Sequence, residues 1–199
     1  MSPETLIRET FLRNRIELSE EQVRLFALYL QELKRWNRVH NLTGVREDKD
    51  IVVRHFLDSV SLSLCLREKG VKVEGLSLCD VGTGAGFPGV PLKIYYGERL
   101  ELTLIEAVAK KCSFLEYLRV RLGIPYRVLC KEAQKVQEKF TVVVSRALGR
   151  LEEVIPLMEG LSEKYLLVMK GREPEGDYDY CKIDLPDIQS YVLFLAKTR

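Results

Sequence analysis

Four glycines set between two carboxylates mark where this chain could do chemistry. The run Leu78-Cys79-Asp80-Val81-Gly82-Thr83-Gly84-Ala85-Gly86-Phe87-Pro88-Gly89 reads as an apolar strand entering a glycine-rich turn, with Pro88 where a helix would begin. Glycine admits positive φ and lets a ligand approach the main chain. Proline suits a first helical turn because its missing N–H would lack a partner there. Strand, tight turn and helix N-terminus together form a corner that binds nucleotides. Gly84, Gly86 and Gly89 satisfy the dinucleotide pattern G-x-G-x-x-G. Asp80, Gly82, Gly84 and Gly86 satisfy the acidic-x-G-x-G-x-G of enzymes that use S-adenosylmethionine (AdoMet). A dinucleotide fingerprint has its first glycine at the strand end, here Gly82, and its sixth position is then Phe87 rather than glycine. Asp80 at the strand end suits the cationic amino group of the AdoMet methionine and would repel a pyrophosphate. AdoMet is the better fit, with its methionine end expected over Asp80, Gly82, Thr83 and Gly84.

A second acid sits at the spacing that ribose recognition needs. Leu100 to Ile105 alternates as a strand and ends at Glu106, 24 residues beyond Gly82. A carboxylate about 20 residues after the glycine loop accepts hydrogen bonds from ribose hydroxyls. Glu106, with Ala107 beside it, is therefore expected at the cofactor, although this spacing alone does not separate AdoMet from NAD. Two cations also end predicted strands. Arg146 follows Val142-Val143-Val144-Ser145, and Lys170 closes the next strand. Ligands bind at the carboxyl edge of open α/β sheets, so both are expected to face substrate or cofactor more than to serve packing.

These residues need a scaffold, and its elements are readable. Ser2-Pro3-Glu4 has the form of an N-cap, first-turn proline and early acid. Ser19-Glu20-Glu21-Gln22 fits a capping box, after which Val23, Phe26, Leu30, Leu33 and Trp36 recur on one face. Residues 1–70 are thus predicted as a helical extension. Beyond Gly70, strands are predicted near 76–81, 101–106, 126–130, 141–146 and 164–170, with helices near 88–96, 107–122, 131–138 and 150–160. Such alternation implies an α/β fold with a doubly wound, mostly parallel sheet over residues 71–199. Two short runs around Pro186-Asp187 predict a C-terminal hairpin that adds an antiparallel edge.

Composition sets the outer bounds. The 199 residues are 46% apolar, enough for a packed core, and 31 basic against 29 acidic residues leave a net charge of +2. That is not the footprint of a dedicated nucleic-acid binder. Charged residues reach 30% and are rich in Lys and Glu, a bias found in thermophiles. The five cysteines are scattered and odd in number without C-x-x-C, which predicts reduced thiols, no metal site and no disulfide framework. No leader pattern opens the chain and no apolar run approaches 18 residues, so a soluble cytoplasmic protein is expected.

Several further elements occur in order: Trp36-Asn37, Asn41-Leu42-Thr43, His55-Phe56-Leu57-Asp58-Ser59, Asp80 to Pro91, Lys110-Lys111 with Phe114-Leu115, Ser145-Arg146-Ala147 and Lys170-Gly171. Together, over roughly residues 20 to 197, they resemble the 16S rRNA guanine-N7 methyltransferases (RsmG, formerly GidB). The resemblance implies an AdoMet-dependent methyltransferase fold of Rossmann-like type and methylation of one guanine in the helix-18 loop of small-subunit rRNA. By position it implies that Gly82 and Phe87 line the cofactor, Phe87 at the sulfonium or ribose end, and that Asn37 and His55 join Arg146 and Lys170 at the base. It also carries an adenine-side role to Glu132 and Ala133, where the family's glycine-arginine-alanine-glutamate is replaced by Cys130-Lys131-Glu132-Ala133. The family usually opens its fourth strand with Phe-Asp, against Phe140-Thr141 here. The link from Lys170 to Tyr178 is short for the helix expected after the fifth strand, so that helix should be absent.

Guanine N7 carries a free lone pair, so no general base is required. The chain must supply in-line placement and exclusion of water. An NAD-dependent oxidoreductase and a non-catalytic ribosome- or RNA-binding module of the same fold remain as alternatives. The expected partner is 16S rRNA, within the small subunit or its precursor, with no membrane and a monomeric chain.

Overall fold

The computed structural model describes residues 1–146 and 148–198; Ala147, the last residue of the Ser145-Arg146-Ala147 element, and Arg199 lie outside the described residues. Helix α1 (Pro3–Arg13) is capped by Ser2, whose hydroxyl accepts from the Thr5 N–H. Helix α2 (Glu20–His40) starts with the predicted capping box: Ser19 accepts from the Gln22 N–H, and the Gln22 side chain accepts from the Ser19 N–H. It ends at Asn41, which takes a left-handed conformation with φ 50°. A short α3 (Asp48–Ile51) runs without a break through a π-helical turn, Val52–Leu57, into α4 (Asp58–Glu68).

Seven strands then form one sheet: β1 (Leu76–Val81), β2 (Leu100–Glu106), β3 (Arg127–Cys130), β4 (Phe140–Arg146), β5 (Ser162–Lys170), β6 (Tyr180–Asp184) and β7 (Gln189–Ala196). Their order is β3-β2-β1-β4-β5-β7-β6. Strands β1 to β5 pair in parallel, while β7 runs antiparallel to both β5 and β6. The predicted hairpin is therefore the antiparallel edge. Helices α5 (Gly89–Tyr96), α6 (Ala109–Leu122) and α7 (Leu151–Leu161) supply the crossovers. The chain leaves β1 outward to β2 and β3, then returns to β4 on the other flank of β1. This reversal opens a crevice between the carboxyl ends of β1 and β4, the place where open α/β sheets bind ligands.

The helix predicted over 131–138 is absent. Only a single 3₁₀ turn forms, Ala133–Lys135. Val136 is the one buried residue of the segment, so a helix there would have no apolar face to bury against the sheet. Between β5 and β6 no helix forms, as the short link implied.

The helical N-terminal part shares its core with the sheet. Ile7, Phe11, Phe26, Tyr29 and Leu33 belong to the same buried cluster as Leu78, Leu104, Val144 and Val192. Asn14 is wholly buried and clasps Asp187 of the hairpin loop, donating to its carboxylate at 2.6 Å and accepting from its N–H at 2.9 Å.

The cysteines correct the expectation of reduced thiols. Cys65 is bonded to Cys181, and Cys112 to Cys130, leaving Cys79 buried and free. Scattered spacing concealed these pairs because each joins elements that meet only in the fold: α4 with β6, and α6 with the end of β3. Chain-entropy estimates give roughly 3 kcal/mol for a bridge closing a loop of order 15 residues and about 4.7 kcal/mol for one of order 100. Cys65→Ser with Cys181→Ser is accordingly expected to cost more stability than Cys112→Ser with Cys130→Ser. Chemical denaturation with and without a thiol reductant checks this; reductant should have no effect on the quadruple variant.

Candidate active site

The glycine loop is built around Asp80. Its carboxylate is fully buried, and one oxygen, Oδ2, accepts from the Thr83 hydroxyl at 2.6 Å and from the Gly89 N–H at 2.8 Å. The other oxygen is buried without a partner among the described residues. Burial raises the carboxyl pKa to about 7. Asp80 thus points into the loop rather than onto its ligand face. Through Thr83 and Gly89 it shapes the turn from beneath.

Gly86 shows why the loop must be glycine. Its φ is +106°, and a Cβ there would lie 2.5 Å from the Tyr29 hydroxyl oxygen and 2.9 Å from Val90 Cγ2. Tyr29 is itself buried and donates to the Ala85 carbonyl at 2.6 Å, so the loop is sewn to α2. Gly84, in contrast, has no atom within 4 Å of where its Cβ would be, which leaves that face of the loop open.

Glu106 ends β2 and faces the loop. Its carboxylate accepts from the Gly84 N–H at 2.8 Å and from the Val108 N–H at 3.0 Å. Two further lone-pair positions stay available for hydroxyl donors. Beside it a cavity of about 370 Å³ is lined by Gly82, Glu106, Ala107, Glu132, Ala133 and Leu148, among others. Gly82, Glu106, Ala107 and the poorly matched Glu132-Ala133 element thus come together, while Asp80, Thr83, Gly84, Phe87 and Arg146 are not in this lining. Leu148 was missed; its side chain packs directly over Gly82, where a Cβ would be 1.9 Å from it. The donor set suits an adenosyl group: apolar walls, a carboxylate for ribose hydroxyls and an open glycine face.

A second cavity, of about 520 Å³, lies across the end of β4. Its lining includes Arg54, His55, Asp58, Arg146, Lys170 and Ser190. Arg146 is held from several sides. It donates to the Arg54 carbonyl at 3.0 Å and to His55 Nδ1 at 2.9 Å, lies 3.6 Å from the Asp58 carboxylate, and its guanidinium carbon sits 5.3 Å from the centroid of the Phe87 ring. Arg146 thereby ties β4 to the helical N-terminal part. Lys170 is half-buried at the cavity edge.

Phe87 stacks with His55 at 4.5 Å and with Tyr29 at 5.3 Å, both near parallel, and is 5% exposed. It therefore backs the loop, outside the lining of the cavity of about 370 Å³. His55 is nearly buried, and its pKa is depressed to about 3, chiefly by burial and then by the Arg146 cation. A neutral imidazole of that kind is no proton shuttle near pH 7. Asn37 is farther back still: its amide donates to the Thr43 carbonyl at 3.0 Å and accepts from the Thr43 N–H at 2.9 Å. The structure thus places His55 with Arg146 and Lys170 in the lining of this cavity, and Asn37 outside it, behind Thr43. The π-helical turn that carries His55 gave no signal in the sequence, and such turns cluster at functional sites. Asp58 of the H-x-x-D-S element meets Arg146 only in the fold, the two being too far apart in sequence for spacing to reveal the pair.

The buried imidazole has a consequence for acid stability. Because the folded pKa lies below the ordinary value of about 6.5, the unfolded chain takes up the proton first as pH falls. Its contribution is whole above pH 6.5 and lost progressively towards pH 3. Urea unfolding of wild type and His55→Gln at pH 7 and pH 5 should show the difference between them shrinking at pH 5; parallel losses would exclude the imidazole as the cause.

Strand order, antiparallel β7 and the glycine corner at the β1/β4 crevice define the class: this is the fold of AdoMet-dependent methyltransferases, not the six-stranded parallel sheet of dinucleotide enzymes. Among solved structures, magnesium protoporphyrin IX methyltransferase from Synechocystis PCC 6803 with bound SAM matches with a TM-score of 0.62 at 17% identity, covering 100% of this chain and 98% of that one. TrmN from Thermus thermophilus matches with a TM-score of 0.53 at 14% identity, over 74% and 53% of the two chains. The chain belongs to the rRNA small subunit methyltransferase G family, whose model matches residues 22–193. Proteins named ribosomal RNA small subunit methyltransferase G are 52% identical in Aquifex aeolicus, over 95% of this chain and 98% of that protein, and 37% identical in Desulfitobacterium hafniense, over 87% and 73%.

Proposed function

We propose that this chain methylates N7 of one guanine in the helix-18 loop of 16S rRNA, using AdoMet, in the small ribosomal subunit or its precursor. One observation carries the reading. The cavity with the ribose-type carboxylate and the cavity with Arg146 and Lys170 flank adjacent strand ends, β1 and β4, so donor and acceptor can meet at the crevice. When bound, AdoMet supplies a methyl group made electrophilic by its sulfonium. Glu106 accepts from the ribose, Ala107, Glu132 and Ala133 border the adenine, and Gly82, Thr83 and Gly84 carry the methionine end, while Asp80 and Phe87 hold the loop in shape.

On the base side the residues orient and exclude water. N7 is unprotonated at neutral pH, so no side chain removes a proton. Transfer leaves positive charge on the guanine ring, and a cation pressed against N7 would oppose it. Arg146 and Lys170 are better used on O6 or on flanking phosphate. With a net charge of only +2, long-range attraction is weak, and selectivity rests on a folded RNA that presents an unstacked guanine. The large apolar side chains that are exposed, Leu12, Val39, Val108 and Val120 among them, are scattered, which supports a monomer. Among the described residues no helix is long and apolar enough to cross a membrane, and no cluster suits a metal ion. The cytoplasm is where the substrate is. Disulfides in an intracellular, charge-rich protein fit a hyperthermophile.

Loss of a charge-assisted acceptor costs about 1.5–3 kcal/mol, so Glu106→Ala should weaken AdoMet binding tenfold or more in calorimetry. Unchanged affinity would remove Glu106 from the ribose. The function itself is tested by incubating small subunits that lack the mark with methyl-labelled AdoMet. Label is expected in rRNA; label in protein only, or none, would leave a different substrate or a non-catalytic module.

A further inference from the structure

Behind Arg146 a line of hydrogen bonds runs back to the end of α2. The guanidinium can only donate, so His55 Nδ1, 2.9 Å from Arg146 Nη2, must accept. A neutral imidazole then carries its one proton on Nε2, which is 2.9 Å from the Thr43 hydroxyl oxygen and donates to it. That oxygen also accepts from the Val45 N–H at 3.2 Å. Thr43 is fixed in turn by Asn37, whose buried amide brackets its N–H and carbonyl at 2.9 and 3.0 Å. Arg146 sets the direction at Nδ1, and the Thr43 hydroxyl, which can donate or accept, follows it by accepting from Nε2. With the proton on Nδ1 instead, two donors would face each other and Arg146 would lose that hold.

We propose that Thr43 and Asn37 are positioning residues for methyl transfer, which keep the aim of Arg146 by holding the His55 ring with its Nε2 proton accepted and its Nδ1 free for the guanidinium. This rests on the base-side role given to Arg146 above. The Asp58 carboxylate and the Arg54 carbonyl restrain the guanidinium independently, so the relay tunes its orientation and is not its only support. Neither Thr43 nor Asn37 lines either cavity, so their effect belongs on turnover at the RNA rather than on AdoMet affinity.

The chain has only two histidines, so the tautomer is directly readable by nitrogen NMR on protein labelled at histidine. Wild type should show His55 with its proton on Nε2. Thr43→Val, which keeps shape and removes the hydroxyl, should leave the Nε2 proton without its acceptor, weaken the preference for that tautomer and lower kcat on small subunits by about tenfold at unchanged AdoMet affinity. Thr43→Ser should restore both. Asn37→Asp keeps the acceptor for the Thr43 N–H and loses the donor to its carbonyl, so it should shift the tautomer the same way and less far. In a His55→Asn background, where the amide oxygen can still meet Arg146 but not reach Thr43, adding Thr43→Val should change turnover little. A wild-type proton on Nδ1, an unshifted tautomer in both Thr43→Val and Asn37→Asp, or a shifted tautomer with wild-type kcat would overturn the relay. Absence of methyl transfer by the wild type, with the tautomer responding as described, would instead overturn the function on which it rests.

Discussion

Arg146→Ala is expected to reduce methyl transfer at least about 100-fold per folded molecule, and to lower stability as well. The activity loss follows from removing a cation held at the edge of the base-side cavity, where a charge-assisted contact contributes about 1.5–3 kcal/mol and the ordering of the neighbouring groups adds to it. The stability loss follows from its partners. Asp58, whose pKa burial already raises, would lose its nearest cation, and the Arg54 carbonyl and His55 Nδ1 would lose a donor. Roughly 2–3 kcal/mol is expected for such a part-buried pair. Arg146→Lys keeps the charge but cannot fork between two acceptors, so it should recover more stability than activity. Methyl incorporation normalised to folded protein, beside melting curves, separates the effects. Full activity in Arg146→Ala would make the residue a structural tie and nothing more.

Gly86→Ala should be strongly destabilising. At φ +106° an alanine is strained before it meets anything. Its Cβ would then lie 2.5 Å from the hydroxyl of Tyr29, which is fully buried, stacked on Phe87 and bonded to the Ala85 carbonyl. The ring has nowhere to retreat, so overpacking and strain together should cost on the order of 3 kcal/mol or more, a fall of about 6–12 °C in Tm for a chain of this length. AdoMet affinity should fall with it, because the displaced segment is the loop itself. A variant that melts like wild type would mean that the loop conformation is not the one described. Gly84→Ala makes a useful contrast: its φ of +62° still imposes strain, but the Cβ meets no atom, so a smaller loss of stability is expected.

What could be read from the sequence follows from locality. The glycine loop, the capping of α1 and α2 and the strand-end positions of Glu106, Arg146 and Lys170 depend on neighbours within a few residues, and all were legible. The antiparallel hairpin was legible for the same reason. The disulfides were not, since Cys65 and Cys181 are 116 residues apart and meet only when α4 packs under β6. Nor was the π-helical turn, because its residues Val52 to Leu57 have no composition that distinguishes one extra residue per turn. His55 and Asn37 entered the expected site only through the family resemblance. The donor and acceptor directions around them show support for Arg146. Asp80 was placed correctly at the strand end, but whether a carboxylate there faces the ligand or the loop is decided by Thr83 and Gly89, which fold back over it. The 131–138 segment failed differently: its polar composition could form a helix, yet it offers the sheet too little to bury.

The most direct test of methyl transfer to a looped guanine is to locate the mark. Small subunits lacking it, treated with this protein and AdoMet, should gain N7-methylguanine at one position in the helix-18 loop of 16S rRNA, seen as cleavage at a single guanine after reduction and aniline treatment. An unstructured guanine-containing oligonucleotide should gain almost none. Methylation at other atoms or positions, or equal turnover on the unstructured strand, would contradict the account.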